Sequence, residues 1–379
     1  MAKPRPMSTD PVLIFVGTRP EVIKMMPVAR ALRGAGVAHR LVATGQHRQL
    51  LDQAFAGSGE RPDIDLGLMT EGQTPTQIAA RLMPAVERLI GAERPPLVLV
   101  HGDTTTAMAA ALAAFHAGMP VGHVEAGLRS HDLARPFPEE FNRIAIDAVA
   151  TLCFAPTEGA AANLRAESAR ERTILVTGNT VIDALLEIAG GLDGGELARA
   201  GLELNGSKRL ILATGHRRES FGAGLEAVCE ALVRLAARGD VEIVYPVHLN
   251  PAVRGTVMDR LAGRAGIRVI EPVGHVEMVA LMQTAAIILT DSGGIQEEAP
   301  ALGKPVLVMR EVTERPEAVA LGAARLVGTD PEAIVREAVL LLDDEAEYAA
   351  RAKPVFPYGD GQAATRIAAA VAEFLERRT

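Results

Sequence analysis

Short apolar runs alternate with helical patterns along most of this chain. Val12 to Val16 reads as a strand, and a helix follows through about Arg33. Arg40 to Thr44 is a second strand, Pro75 to Ile90 a helix, and Pro96 to Val100 a strand running into His101. A helix over Thr104 to Ala117 and strands at Val121 to Val124, Leu152 to Ala155 and Ile174 to Val176 continue the series. The runs are continuously apolar rather than alternating, as expected of parallel strands covered on both faces. The series then restarts, with strands at Leu210 to Ala213, Glu242 to Val247, Arg268 to Ile270, Ala286 to Leu289 and Val306 to Met309. A last helix covers about Gln362 to Arg378. The pattern predicts two doubly wound α/β halves joined near residues 180–208, where Asp193-Gly194-Gly195 offers a break.

Length and composition narrow the function. At 379 residues the chain favours two or three domains. A net charge of −8 with no Lys/Arg run argues against binding a nucleic acid backbone. Aromatics make up only 3% and Trp is absent, so base-stacking platforms are not expected. Cys153 and Cys229 sit inside apolar stretches without metal-ligand spacing and read as buried free thiols of a reducing compartment. No signal core and no run of about 18 apolar residues is found, so the expectation is a cytoplasmic protein with no membrane partner.

In open parallel sheets, ligands bind beyond the carboxyl ends of the strands, and the polar clusters of both halves fall there. Facing halves would set them on opposite walls of one cleft. The most informative is Leu289-Thr290-Asp291-Ser292-Gly293-Gly294-Ile295-Gln296-Glu297-Glu298. Three small residues at Ser292, Gly293 and Gly294 let the backbone approach a ligand, and the helix start directs free N–H groups at an anion. Glu298 follows about one turn into the helix. This suits a sugar nucleotide, which carries both a diphosphate and a polyol. A tight strand-to-helix turn with no ligand is the plain alternative.

In the first half, Gly17-Thr18-Arg19-Pro20-Glu21 places Arg19 at a helix start, with Lys24 further along the same helix. Asp103 ends one strand within His101-Gly102-Asp103-Thr104-Thr105-Thr106, and Glu125 ends the next within His123-Val124-Glu125-Ala126-Gly127. Adjacent strands lie about 5 Å apart, so the two acids are expected to share a pocket and to raise at least one pKa. Alone, Asp103 would read as an N-cap. Glu139 and Glu140 open a helix after the stiff segment Arg135-Pro136-Phe137-Pro138, where acids also suit the helix dipole. The second half adds Thr214-Gly215-His216-Arg217-Arg218-Glu219, His248 at another strand end, and Arg315 within Thr313-Glu314-Arg315-Pro316-Glu317. No dinucleotide fingerprint, phosphate loop, nucleophile elbow or His/Cys metal set is present, so no cofactor and no metal are expected.

Together these segments, with Thr44-Gly45-Gln46-His47-Arg48, Thr177-Gly178-Asn179-Thr180-Val181-Ile182-Asp183 and Tyr358-Gly359-Asp360-Gly361-Gln362, resemble the bacterial non-hydrolysing UDP-N-acetylglucosamine 2-epimerases. The resemblance spans nearly the whole chain. It implies a GT-B fold of two Rossmann-like domains. The first would be residues 1–183 with helix 362–379 packed back on it, and the second, nucleotide-binding, residues 184–361. It implies reversible conversion of UDP-N-acetylglucosamine to UDP-N-acetylmannosamine, without a cofactor, through elimination of UDP to 2-acetamidoglucal. The implied catalytic set is Asp103, Glu125, Glu139 and His216. The implied substrate-binding set is Arg19, Lys24, Ser292, Gly293, Gly294, Glu298 and Arg315. A homodimer serving surface polysaccharide synthesis is also implied.

Gln46, Gln49 and His248 fit the second, activating substrate site found in the family, although an arginine that some relatives carry near Gly72 is missing. Arg135 and Phe137 stand where some relatives have Ser and Trp, and Met278 where some have an aromatic. Rival readings are a hydrolysing epimerase, an epimerase of a modified UDP-sugar, a GT-B glycosyltransferase, and a sugar-nucleotide binding module without activity. The Asp103, Glu125 and Glu139 set disfavours the transferase.

Overall fold

The computed structural model describes residues 10–45, 55, 60–68, 70, 72–167, 172–217 and 221–378. The chain divides into two units, one comprising residues up to Leu186 together with the segment from Tyr358 onward, the other Glu187–Pro357. The break falls inside the helix Thr180–Gly191, ahead of Asp193-Gly194-Gly195.

The first unit holds a seven-stranded sheet: β1 (Val12–Val16), β2 (His39–Ala43), β3 (Ile64–Asp65), β4 (Val98–His101), β5 (Val121–Val124), β6 (Leu152–Ala155) and β7 (Thr173–Val176). Their order is β3-β2-β1-β4-β5-β6-β7. The pairings are parallel, so each strand needs a crossover, and helices cover both faces. β1 shows how the pleat divides its side chains. Val12, Ile14 and Val16 pack with Met25 and Leu32 of the helix Arg19–Gly34 and with Ile367 and Val371 of the C-terminal helix Ala363–Glu376. Leu13 and Phe15 point the other way, toward Leu82 and Val86 of the helix Pro75–Glu93 and the alanines of the helix Thr105–His116. All five β1 side chains are buried, which is why the run is apolar without alternation.

The second unit repeats the plan with β8 (Arg209–Thr214), β9 (Val241–Pro246), β10 (Ile267–Ile270), β11 (Ile287–Thr290), β12 (Val306–Val308) and β13 (Ala324–Leu326). Their order is β10-β9-β8-β11-β12-β13, again in parallel pairs. Both orders are those of doubly wound, Rossmann-like sheets. In such sheets the crevice at the carboxyl ends, where the strand order reverses, is the ligand position. That point lies between β1 and β4 in one unit and between β8 and β11 in the other.

The turns at the first of these points are fixed by one carboxylate. Thr18 caps the helix Arg19–Gly34 in a capping box with Glu21, and Pro20 occupies its first turn. Glu21 is buried and accepts the Gly17 and Thr18 backbone N–H groups at 2.8 and 2.6 Å, and the Thr104 hydroxyl at 2.7 Å. Thr104 itself caps the helix after β4. Glu21 therefore stitches the β1 turn to the β4 turn. Gly17 must be glycine here, because a Cβ would lie 2.6 Å from Thr106 Oγ1 and 2.7 Å from Thr44 Oγ1.

Candidate active site

In the first unit three elements bring charged groups to the end of the sheet. Glu125 follows β5 with φ +68, a left-handed conformation that costs a non-glycine residue of order 1–3 kcal/mol and persists only where the surroundings impose it. Its carboxylate accepts from Lys24 Nζ and, at 3.0 Å, from Asn179 Nδ2, while His101 Nε2 lies 3.3 Å away. Burial alone would raise this carboxyl, but the Lys24 and His101 charges overcome it and hold Glu125 well below the usual carboxylate range. The expectation that a neighbouring acid would raise it is thus overturned for Glu125. Lys24 and His101 both lie beside the Glu125 carboxylate, and their attraction outweighs the cost of burial. Lys24, one helical turn beyond Arg19, is directed to Glu125, and Arg19 opens the helix beside it.

Asp103 pairs with Arg143, with Nη2 2.6 Å from Oδ2, and its carbonyl accepts from Asn142 Nδ2 at 2.9 Å. Both partners belong to the helix Glu139–Val149, so that helix is bonded directly to the β4 turn. The two acids at its start have different situations. Glu140 is fully buried and accepts the Ser130 and His131 backbone N–H groups at 3.0 and 2.9 Å, which fixes the preceding loop. Glu139 is half-buried and makes no hydrogen bond or ion pair among the described residues.

His123 belongs to the fold's interior. Its Nδ1 lies 2.6 Å from Asp147 Oδ1 and its Nε2 2.7 Å from the Gly102 carbonyl. Arg129 meets the other Asp147 oxygen at 2.8 Å. Burial would raise Asp147, yet His123 and Arg129 together hold it below its ordinary value.

In the second unit the helix Gly293–Ala301 starts at Ser292, whose side chain makes no capping bond and whose N–H donates to Thr290 Oγ1 at 3.0 Å. The first-turn N–H groups of such a helix have no intrahelical acceptor and present a positive end. Arg315 lies against this start. A Cβ at Gly293 would stand 3.1 Å from its Cζ, and its Nε donates to Glu297 at 2.9 Å. Ser292, Gly293, Gly294 and Arg315 thus form one cationic cradle. Glu298, buried on the same helix, is 3.5 Å from His275 Nε2.

His216 follows β8. Burial pushes its imidazole below the ordinary value, Asp291 opposes that shift, and His248 and Arg217 add to it. The rings of His216 and His248 stack with centroids 5.3 Å apart. Gln46 and Gln49 lie outside the described residues, as does Glu219. Cys153 and Cys229 are buried and form no disulfide. Among the described residues no group of three or more His, Cys, Asp or Glu is placed to hold a metal, and no helix is long and apolar enough to cross a membrane.

Sequence reading passed over Asp291, His101, His275 and Asn179. The available signal was position: Asp291 and His101 stand at the ends of β11 and β4, inside the motifs quoted for the site but given no role there.

Two Rossmann-like units, one with acids after β4 and β5 and the other with a glycine-rich helix start beside Arg315, have the fold of the GT-B class. Comparison with known proteins names the family. The UDP-N-acetylglucosamine 2-epimerase family model matches residues 30–372, and the chain belongs to that family. It is 48% identical over 370 residues to the UDP-N-acetylglucosamine 2-epimerase of Salmonella typhimurium, covering 96% of this chain and 98% of that one. It is 49% identical over 363 residues to the enzyme of that name from Escherichia coli K12, covering 94% and 96%. The crystal structure of the Neisseria meningitidis UDP-GlcNAc 2-epimerase bound to UDP-GlcNAc superposes with a TM-score of 0.88 at 40% identity, over 96% of this chain and 99% of that one.

Proposed function

We propose that this protein interconverts UDP-N-acetylglucosamine and UDP-N-acetylmannosamine by eliminating UDP to 2-acetamidoglucal and adding it back with C2 protonated on the other face. Family membership supports the reaction. The single observation that carries the site assignment is the buried, cation-held carboxylate of Glu125 ending the strand next to that of Asp103.

The chemistry requires such groups. The C2 hydrogen is not beside a carbonyl and is weakly acidic. Breaking the anomeric C–O bond first builds oxocarbenium character, which acidifies it. A carboxylate held ionised stabilises that positive charge, the part suited to Glu125. A base must also accept the C2 proton and an acid return one, the part suited to Asp103 and Glu139, with His216 as a further titratable group. Ser292, Gly293, Gly294 and Arg315 suit the departing diphosphate, Arg19 suits an anionic group of the substrate at its own helix start, and Glu298 suits hydroxyls of the nucleotide. Lys24 acts through Glu125.

The same reading makes the protein a homodimer of the cytoplasm that supplies surface polysaccharide synthesis. Cys153 and Cys229 form no disulfide, in keeping with a reducing compartment. His248, with Gln46 and Gln49, would serve an activating second site.

Anion-exchange separation of products formed from UDP-N-acetylglucosamine, with nothing else added, tests the reading. UDP-N-acetylmannosamine at a fixed ratio to substrate is expected. Stoichiometric UDP with free N-acetylmannosamine would instead assign hydrolysis.

A further inference from the structure

The turn Gly215-His216-Arg217 is held by one carboxylate. Asp291 Oδ2 accepts the backbone N–H of His216 and of Arg217, each at 2.8 Å. Tyr245 OH donates to the Gly215 carbonyl at 3.1 Å and fixes the same turn from β9. These bonds use only one Asp291 oxygen. The other, Oδ1, is buried without a hydrogen bond and lies 3.4 Å from His216 Nδ1. Asp291 as a whole is 2% exposed.

Leaving a charged oxygen out of water and unbonded is costly, and a residue needed only for the turn would not require it. Among the described residues, the imidazole of His216 is the group that stands across from it. We propose that Asp291 is a positioning residue for His216, holding Nδ1 protonated so that Nε2 is presented without a proton on the opposite edge of the ring. The proposal rests on His216 taking part in the reaction. Hydrogen bonds of this kind are often long in unliganded enzymes and tighten when substrate binds. A base whose tautomer is set by a buried carboxylate meets each substrate in the same state.

Among the described residues, the charged and titratable groups that face His216 are Asp291 from the β11 end, His248 from the β9 end, and Arg217 from its own turn. Burial, His248 and Arg217 lower the imidazole, and Asp291 alone raises it. Removing that charge must therefore move the His216 titration to lower pH.

Asp291→Asn separates this role from the structural one. The amide oxygen keeps the two backbone N–H bonds, while the NH2 takes the place of Oδ1 and donates toward Nδ1. Expected are a kcat lower by on the order of 100-fold, an unchanged UDP affinity by calorimetry, and a His216 limb of the pH profile displaced to lower pH. Nitrogen NMR of 15N-histidine-labelled protein should show His216 as the Nδ1–H tautomer in the wild type and as Nε2–H in the variant. An Nε2–H tautomer in the wild type overturns the proposal even if the variant does not fold. So does wild-type kcat and pH profile in Asp291→Asn while His216→Ala loses turnover, and His216 then keeps its role. Wild-type turnover in His216→Ala overturns the role of His216 and this proposal with it.

Discussion

Lys24 and Glu125, 101 residues apart in sequence, form a hydrogen-bonded ion pair that joins the helix after β1 to the turn after β5. Their side chains are only 15% and 11% exposed. Removing one partner of such a pair strands the other charge, so Lys24→Met should lose about 3 kcal/mol of unfolding free energy at pH 7. The sign with pH follows from Glu125, whose folded pKa is depressed. Stability from the pair is complete above the unfolded carboxylate value of about 4.3 and is lost as pH falls through the lower folded value. Urea titrations should show the wild-type advantage over Lys24→Met at pH 7 narrowing only below about pH 4. An equal advantage at every pH would deny the ion pair.

Asp103→Asn and Glu125→Gln should each lower kcat by on the order of 10²–10⁴-fold. UDP affinity should stay close to wild type, since neither carboxylate belongs to the set proposed to hold the diphosphate. Initial rates with UDP-N-acetylglucosamine, together with calorimetry of UDP, decide this. Normal turnover in either variant removes that residue from the mechanism.

Gly293→Ala tests the cradle. The new methyl would stand 3.1 Å from Arg315 Cζ, so the guanidinium must shift from the helix start. UDP should bind about tenfold more weakly, roughly 1.4 kcal/mol, while the thermal midpoint stays level or rises slightly because alanine favours the helix. Unchanged UDP affinity would show that Arg315 acts elsewhere.

The His123, Asp147 and Arg129 cluster predicts a purely structural effect. Asp147→Ala removes the buried carboxylate that accepts from both His123 and Arg129 and should cost about 3–5 kcal/mol by urea unfolding. Because Asp147 is held below its ordinary value, its contribution is present above the unfolded carboxylate range and is lost at acid pH. The protein that remains folded should turn over near the wild-type rate. A severe loss of kcat at full stability would place His123 in the chemistry.

Much of this fold was legible because parallel strands buried on both faces leave continuous apolar runs. β1 and β5 were bounded to the residue. The two strands missed, Ile64–Asp65 and Ala324–Leu326, are edge strands of two and three residues, too short and too partly exposed to leave a run. The candidate residues were legible as positions, since Asp103, Glu125, His216 and Ser292 all stand at strand ends. Its electrostatics were not. Glu125 was read against a nearby acid because strand adjacency is visible in sequence. Lys24, Asn179 and His101 come from three other elements that only the fold brings together. Glu139 and Glu140 looked alike as helix-opening acids, and only burial separates the loop clamp from the unpaired carboxylate.

Proton NMR of UDP-N-acetylglucosamine incubated with the protein in D2O, without any cofactor, tests the central claim most directly. The account predicts that UDP-N-acetylmannosamine appears and that both sugar nucleotides acquire deuterium at C2. Formation of the epimer with the original hydrogen kept at C2 would contradict it.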